Sequence, residues 1–207
     1  MKTTVFDQIR AQEKEGRRQA ISAIAEKLLA EKGIAGVTIR NVSEAAGLST
    51  GAIYMYFKNK EEIFVHILAT HLKKLEQDLK KSMVHKNLAD ILRSMAEHYK
   101  GYYLKIGKYV DLVDLLADDG KGKATISDDL MQTLHNQVVS IFGWLEEQMA
   151  QPEIAKRLKG IPPKRVVPVL WSMVTGLSHI TLPSARSREG GFDFDQTLED
   201  MMTIIMD

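Results

Sequence analysis

The sequence predicts an all-α fold: a short N-terminal three-helix unit over residues 1–59, followed by a longer helical body over residues 60–207. Three observations carry this reading. Apolar residues recur three and four positions apart through most of the chain, the spacing that lines one face of a helix. A tight turn at Gly47 separates two short segments, each preceded by a hydroxyl residue able to cap it. Charge is divided unevenly: residues 1–60 hold ten Lys and Arg against six Asp and Glu, a balance of +4, and the rest hold 18 against 21, a balance of −3. A basic head thus precedes a slightly acidic body.

Residues 1–16 are mixed in charge and close on Gly16, which leaves a frayed arm, a basic arm reaching a minor groove, or a helical lead-in as readings. From Arg17 the spacing of Ile21, Ile24, Leu28 and Leu29 predicts a helix ended by Gly33 and Gly36. Thr38 then caps a second helix whose buried face is Ile39, Val42 and Ala46. Gly47 supplies the left-handed backbone that ends it, and Leu48 plugs the turn. Ser49 caps a third helix that buries Ile53 and Phe57 and leaves Thr50, Gly51, Ala52, Tyr54 and Tyr56 outward.

Two short helices around such a turn make a helix-turn-helix, and the outward surface suits a DNA major groove. Small residues at a helix N-terminus let the backbone approach base edges. First-turn amides attract phosphate, and tyrosine hydroxyls donate to phosphate oxygens. The same spacing also fits a plain helical hairpin with Tyr54 and Tyr56 at its rim; the agreement of turn, caps and polar face favours DNA.

At Thr38-Ile-Arg40, Val42-Ser-Glu-Ala-Ala-Gly-Leu-Ser49, Gly51-Ala-Ile-Tyr-Met-Tyr-Phe57 and Lys58-Asn-Lys60-Glu-Glu-Ile-Phe64 the chain resembles the tetracycline-repressor (TetR) family of bacterial transcriptional regulators. The resemblance covers roughly residues 17–68. It implies that Thr38, Arg40, Ser49, Tyr54, Tyr56 and Lys60 lie on the DNA side, most of them at phosphates, and that Thr50, Gly51 and Ala52 approach bases. Ser43 stands where the family usually carries Ala, so its hydroxyl needs a partner, most simply a carbonyl one turn back. The expected fold is then a helix-turn-helix DNA-binding domain plus a helical ligand-binding and dimerisation domain. The expected function is a ligand-responsive repressor released from a palindromic double-stranded DNA operator by a small, largely apolar effector. An adaptor whose body binds a protein instead is the alternative.

In the body, Asn59 caps a helix with Glu61 and Glu62 in its first turn and a stripe of Phe64, Ile67, Leu68, Leu72, Leu75 and Leu79. Residues 88–117 continue helical with a break expected near Gly101 or Gly107. Residues 118–124 form a loop, and Ser127 caps a helix that Pro152 stops. A helix over about 165–182 is apolar nearly all round, with Pro168 tolerable only in its first turn. After the loop 184–191, a last helix carries Phe194, Leu198, Met201, Met202 and Ile205. The apolar surface of the last two helices suggests a two-fold four-helix contact, the arrangement that the resemblance implies for a homodimer, with a monomer core as the other reading; Leu170, Val174, Leu177, Leu198 and Met202 are the candidate contacts.

The chain contains no cysteine, which removes disulfides and thiolate metal sites, and no apolar run approaches the ~18 residues of a membrane span. A cytoplasmic protein without membrane, metal or cofactor is expected. His66 and His71 stand five apart, off a common face, and Asp111, Asp114, Asp118 and Asp119 read as a solvated face and loop. Neither a nucleophile elbow nor a phosphate-binding loop is present, so no catalytic residue is assigned. Met95, Tyr99, Tyr102, Tyr103, Met131 and His135, with His98 and Trp144 nearby in sequence, are polar-tipped or adaptable side chains on apolar helices. They are the candidates for an effector pocket, with ordinary core or rim as the other reading of each.

Overall fold

A computed structural model describes residues 4–82, 87–118, 126–184 and 192–206, with the side chains of 108–118, 183–184 and 206 outside the description. Its order is α1 (Val5–Gly36), α2 (Ile39–Ala46), α3 (Thr50–Tyr54), α4 (Lys60–Ser82), α5 (Leu88–Asp118), α6 (Asp128–Met149), α7 (Pro152–Ala155), α8 (Pro163–Ser184) and α9 (Phe194–Met206); a 3-10 turn, Lys156–Leu158, follows α7. Among the described residues there is no strand, and no helix is long and apolar enough to cross a membrane. The loops expected at 118–124 and 184–191 lie mostly outside the described residues, as do the side chains of Asp111, Asp114, Asp118 and Asp119.

The chain divides into two compact units, residues 1–70 with 109–135, and residues 71–108 with 136–207. In the first, Ile21, Ala25, Leu28 and Leu29 of α1, Val42 of α2, Ile53 of α3, Phe57, and Ile63, Phe64 and Ile67 of α4 are all buried. In the second, Leu92, Met95 and Tyr99 of α5, Ile141 and Leu145 of α6, Val174 of α8 and Leu198 of α9 are buried.

One helix start decides among the open readings, and two further helices differ from the sequence expectation. Helix α1 begins at Val5, so residues 5–16 are the helical lead-in. A capping box starts it: Thr4 Oγ1 accepts from Asp7 N (3.2 Å), and Asp7 Oδ2 accepts from Thr4 N (3.0 Å). Near its other end Gly33 takes φ 69°, which breaks the helix where glycine alone enters cheaply.

Helix α5 runs without the expected break at Gly101 or Gly107. A lone glycine costs a helix only ~1 kcal/mol against Ala, less than continuous apolar burial on either side returns. At Gly107 a Cβ would stand 2.7 Å from the Tyr103 ring, so the glycine makes room for that ring. Helix α8 begins at Pro163 and places Pro168 in its second turn. Lys164 and Pro168 are both exposed, so water can reach the carbonyl that proline leaves without an amide.

Candidate nucleic-acid interface

The turn between α2 and α3 is built by short-range chemistry. Thr38 Oγ1 accepts from Asn41 N at 3.1 Å and Ser49 Oγ from Ala52 N at 3.1 Å, so each helix has its expected cap. Gly47 is left-handed (φ 66°, ψ 29°), its N–H donating to Glu44 O and that of Leu48 to Ser43 O. Ser43 is buried and donates to Arg40 O at 2.8 Å, one turn back.

Ile53 and Phe57 are wholly buried, which pins α3 by its inner face. Thr38, Arg40, Ser49, Thr50, Gly51 and Tyr54 are exposed, and Ala52, Tyr56 and Lys60 are half-buried. Tyr54 keeps 56% of its surface. The space beside Gly51 is open: an added Cβ would meet only Ser49 Oγ, at 3.8 Å. Arg40 is held by Glu44 at 2.8 Å on the surface of α2, so a phosphate would have to compete for it.

Three residues behind α3 have a place at this site that the sequence reading did not assign to them. Arg18 donates from Nε to Tyr56 O (3.2 Å) with its guanidinium 5.7 Å from the Phe57 ring centroid. His66 meets the Phe57 ring edge-on at 5.5 Å, and its two nitrogens face Ser22 Oγ (2.9 Å) and Glu15 Oε1 (3.1 Å). Burial pushes the His66 imidazole below its ordinary 6.5, opposed by the Glu15 carboxylate. The order Ser22, His66, Glu15 imitates a hydrolytic triad, but Ser22 is buried among helices where no substrate can reach it. Glu62, the third of these residues, is 2% exposed and accepts two backbone amides, from Lys58 (2.8 Å) and Ser127 (3.0 Å). The one signal available in sequence was its place in the first turn of α4.

Four of the six effector candidates, Met95, Tyr99, Tyr102 and Tyr103, lie in the second unit. Tyr99 stands 5.4 Å from Tyr102, 6.4 Å from Tyr103 and 5.5 Å from Trp171 by ring centroids, and all three tyrosines and Met95 are buried. Tyr102 alone of the six also lines a groove, of about 210 Å³ and open to solvent, whose other walls include His71, Lys74, Leu75, His98 and Lys105. Met131 is half-buried and His135 is exposed, both in the first unit.

The five residues expected at a dimer contact are all buried within the single chain. Leu170, Val174, Leu177, Leu198 and Met202 are 0–7% exposed in the single chain, so they belong to its own core. An all-round apolar helix gives no phase by which sequence could tell core from contact. The outward face carries Val169 and Ile180 of α8 and Ile204 of α9, at 56%, 61% and 81% exposure. Among the described residues no three His, Asp or Glu are grouped to hold a metal ion.

Residues 21–67 match the family described as bacterial regulatory proteins, tetR family. Over 55 residues the chain is 40% identical to the HTH-type transcriptional repressor KstR2 of Rhodococcus jostii, covering 27% of each chain. Over 85 residues it is 31% identical to the repressor AcnR of Corynebacterium efficiens, covering 41% of this chain and 43% of that one. The chain spans about a quarter to a half of the length of the curated relatives it matches. Solved structures with the same fold include a TetR/AcrR-family regulator from Thermobifida fusca, at TM-score 0.68 and 16% identity over 93% of this chain and 97% of that one. AibR bound to isovaleryl coenzyme A and operator DNA is another, at 0.59 and 18%, covering 91% and 97%.

Proposed function

Since this chain belongs to the TetR family of bacterial regulatory proteins, we propose that it is a homodimeric repressor whose residues 1–59 read a palindromic operator and whose residues 60–207 bind a small effector and the partner chain. The observation that carries the reading is the division of α3: Ile53 and Phe57 are sealed inside while Thr50, Gly51 and Tyr54 face out beside open space. Bases are approached through Thr50, Gly51 and Ala52. Phosphates are held by Thr38, Ser49, Tyr54, Tyr56 and Lys60, with Arg40 at the flank.

Pairing is what makes one short helix sufficient, because two readers about one DNA turn apart multiply the contacts. The outward apolar face of α8 and α9 supplies the dimer contact. Along it Ser172 is exposed and Gly176 has no atom near its missing Cβ, so a second copy can approach closely. Sedimentation of the Gly176→Leu and Ile204→Asp forms tests this: both should lower the dimer fraction, whereas an unchanged profile would place the contact elsewhere.

The groove floored by Leu75 and Tyr102 is the effector site, its apolar floor taking the ligand's body and His71 and His98 orienting its polar end. Hundredfold release needs about 2.7 kcal/mol of preference for the non-binding state. An unbiased operator selection with the full chain, followed by release with small-molecule pools, tests the whole reading. A palindromic consensus is expected, and the absence of any enriched sequence would refute it. The openness of the groove favours one second reading, an adaptor whose body binds a protein; there, no small molecule would release the operator.

A further inference from the structure

Glu62 occupies the third position of α4, where Asn59 Oδ1 accepts its N–H at 2.9 Å. In a capping box the carboxylate of such a residue returns to the cap's own amide. Here Oε2 accepts instead from Lys58 N, one residue farther back, at 2.8 Å. Local capping accounts for that oxygen and no more. The second oxygen, Oε1, accepts from Ser127 N at 3.0 Å, and Ser127 immediately precedes α6.

A second strap runs beside the first. Arg18 donates to Tyr56 O at 3.2 Å and approaches Asp129 Oδ2, in the first turn of α6, at 3.8 Å. Residues 56–58, the exit of the recognition helix, are therefore joined to residues 127–129 by one acid and one base. The acid makes the stronger strap, because its bonds lie away from water and end on main chain at both sides. The Arg18 link ends on an exposed carboxylate and is weak at that end.

We propose that Glu62, seconded by Arg18, is a positioning residue that couples the start of α6 to the exit of the recognition helix, so that displacement of α6 resets the reader directly. This deepens the regulatory reading and rests on it. A shift of Ser127 by ~1 Å takes a 3.0 Å bond beyond hydrogen-bonding distance, so a small movement at α6 suffices to release one oxygen. Glu62 then loses half of its support, and the Lys58 main chain is freed with it.

Two changes on the α6 side alone separate coupling from simple capping. Ser127→Pro removes the N–H that Oε1 accepts, at a position just ahead of a helix where proline is accommodated. Asp129→Lys, at a side chain 81% exposed and so harmless to folding, sets a positive charge against Arg18. Neither residue is placed on the DNA surface. In the full-length chain we expect amide exchange over residues 54–58 to quicken by about tenfold in Ser127→Pro and about threefold in Asp129→Lys. The same variants should shift affinity for the selected operator by threefold or more. Glu62→Ala combined with Ser127→Pro should exceed Glu62→Ala alone by less than about twofold. Unchanged exchange over 54–58 in both α6-side variants would overturn the coupling and leave Glu62 a cap of α4. Should the parent protein select no operator, the regulatory reading falls by itself, and the exchange comparison still decides the clasp.

Discussion

The two units of this chain reach order by different means. Around the recognition helix, a small apolar knot of Ile53, Phe57 and Phe64 is steered by specific polar contacts: two hydroxyl caps, one left-handed glycine, a buried histidine and a carboxylate divided between two amides. The second unit relies on area and ring packing, Tyr99 against Tyr102, Tyr103 and Trp171, with Arg93 paired to Glu199 and Lys100 to Asp195 at its rim. A fold steered by few contacts can be re-aimed by changing one of them. A fold held by area tolerates many changes of detail and fails when volume is removed.

The largest effect that would sharpen this contrast is Tyr99→Ala. Removing a ring 4% exposed should cost about 3–5 kcal/mol in the second unit, read by denaturant melting, because the neighbouring rings cannot close the void. A loss under ~1 kcal/mol would mean the cluster is loosely filled. Next, Gly51→Val should lower specific operator affinity at least about hundredfold, some 2.7 kcal/mol, while the melting midpoint stays near the parent's. Retained affinity would show that the backbone at residue 51 does not approach bases.

A pH series isolates the polar steering. His66 has its folded pKa below 6.5, so above that value both folded and unfolded chains carry it neutral and stability is complete. As pH falls through 6.5 the unfolded chain takes up a proton that the folded one resists, and stability declines until the folded form is protonated too. Thermal melts should therefore drop below pH 6.5 in the parent and drop less in His66→Gln; identical slopes would remove His66 from the account. The smallest effect is Lys60→Ala, which should flatten the dependence of operator affinity on salt by about one unit of log–log slope. A parallel salt series would mean that Lys60 touches no phosphate.

The contrast also governs what the sequence discloses. The helix-turn-helix was legible because its signals are local: Thr38 and Ser49 each cap the amide three residues on, and Gly47 acts on its own backbone. Arg18, Glu62 and His66 were not, since their decisive partners lie 38, 65 and 44 residues away and no spacing rule connects them. In the body, periodicity located the helices but could not phase α8, so it did not disclose that Leu170 and Val174 are buried within the single chain. The tyrosines of α5 illustrate the same limit. A polar tip on an apolar helix looks alike in sequence whether its neighbour is a cavity or another ring.

The empty volume at Gly51 has one more implication. Inside the protein nothing asks for glycine there, since its backbone is ordinary and a methyl group would fit. Ranking every amino acid at that site by thermal tolerance should therefore follow intrinsic helix tendency, with alanine ahead of the native residue. Ranking the same collection by grip on duplex should follow bulk, with glycine first. The two ladders would run in opposite directions, making this one position a place where folding and reading are in open conflict.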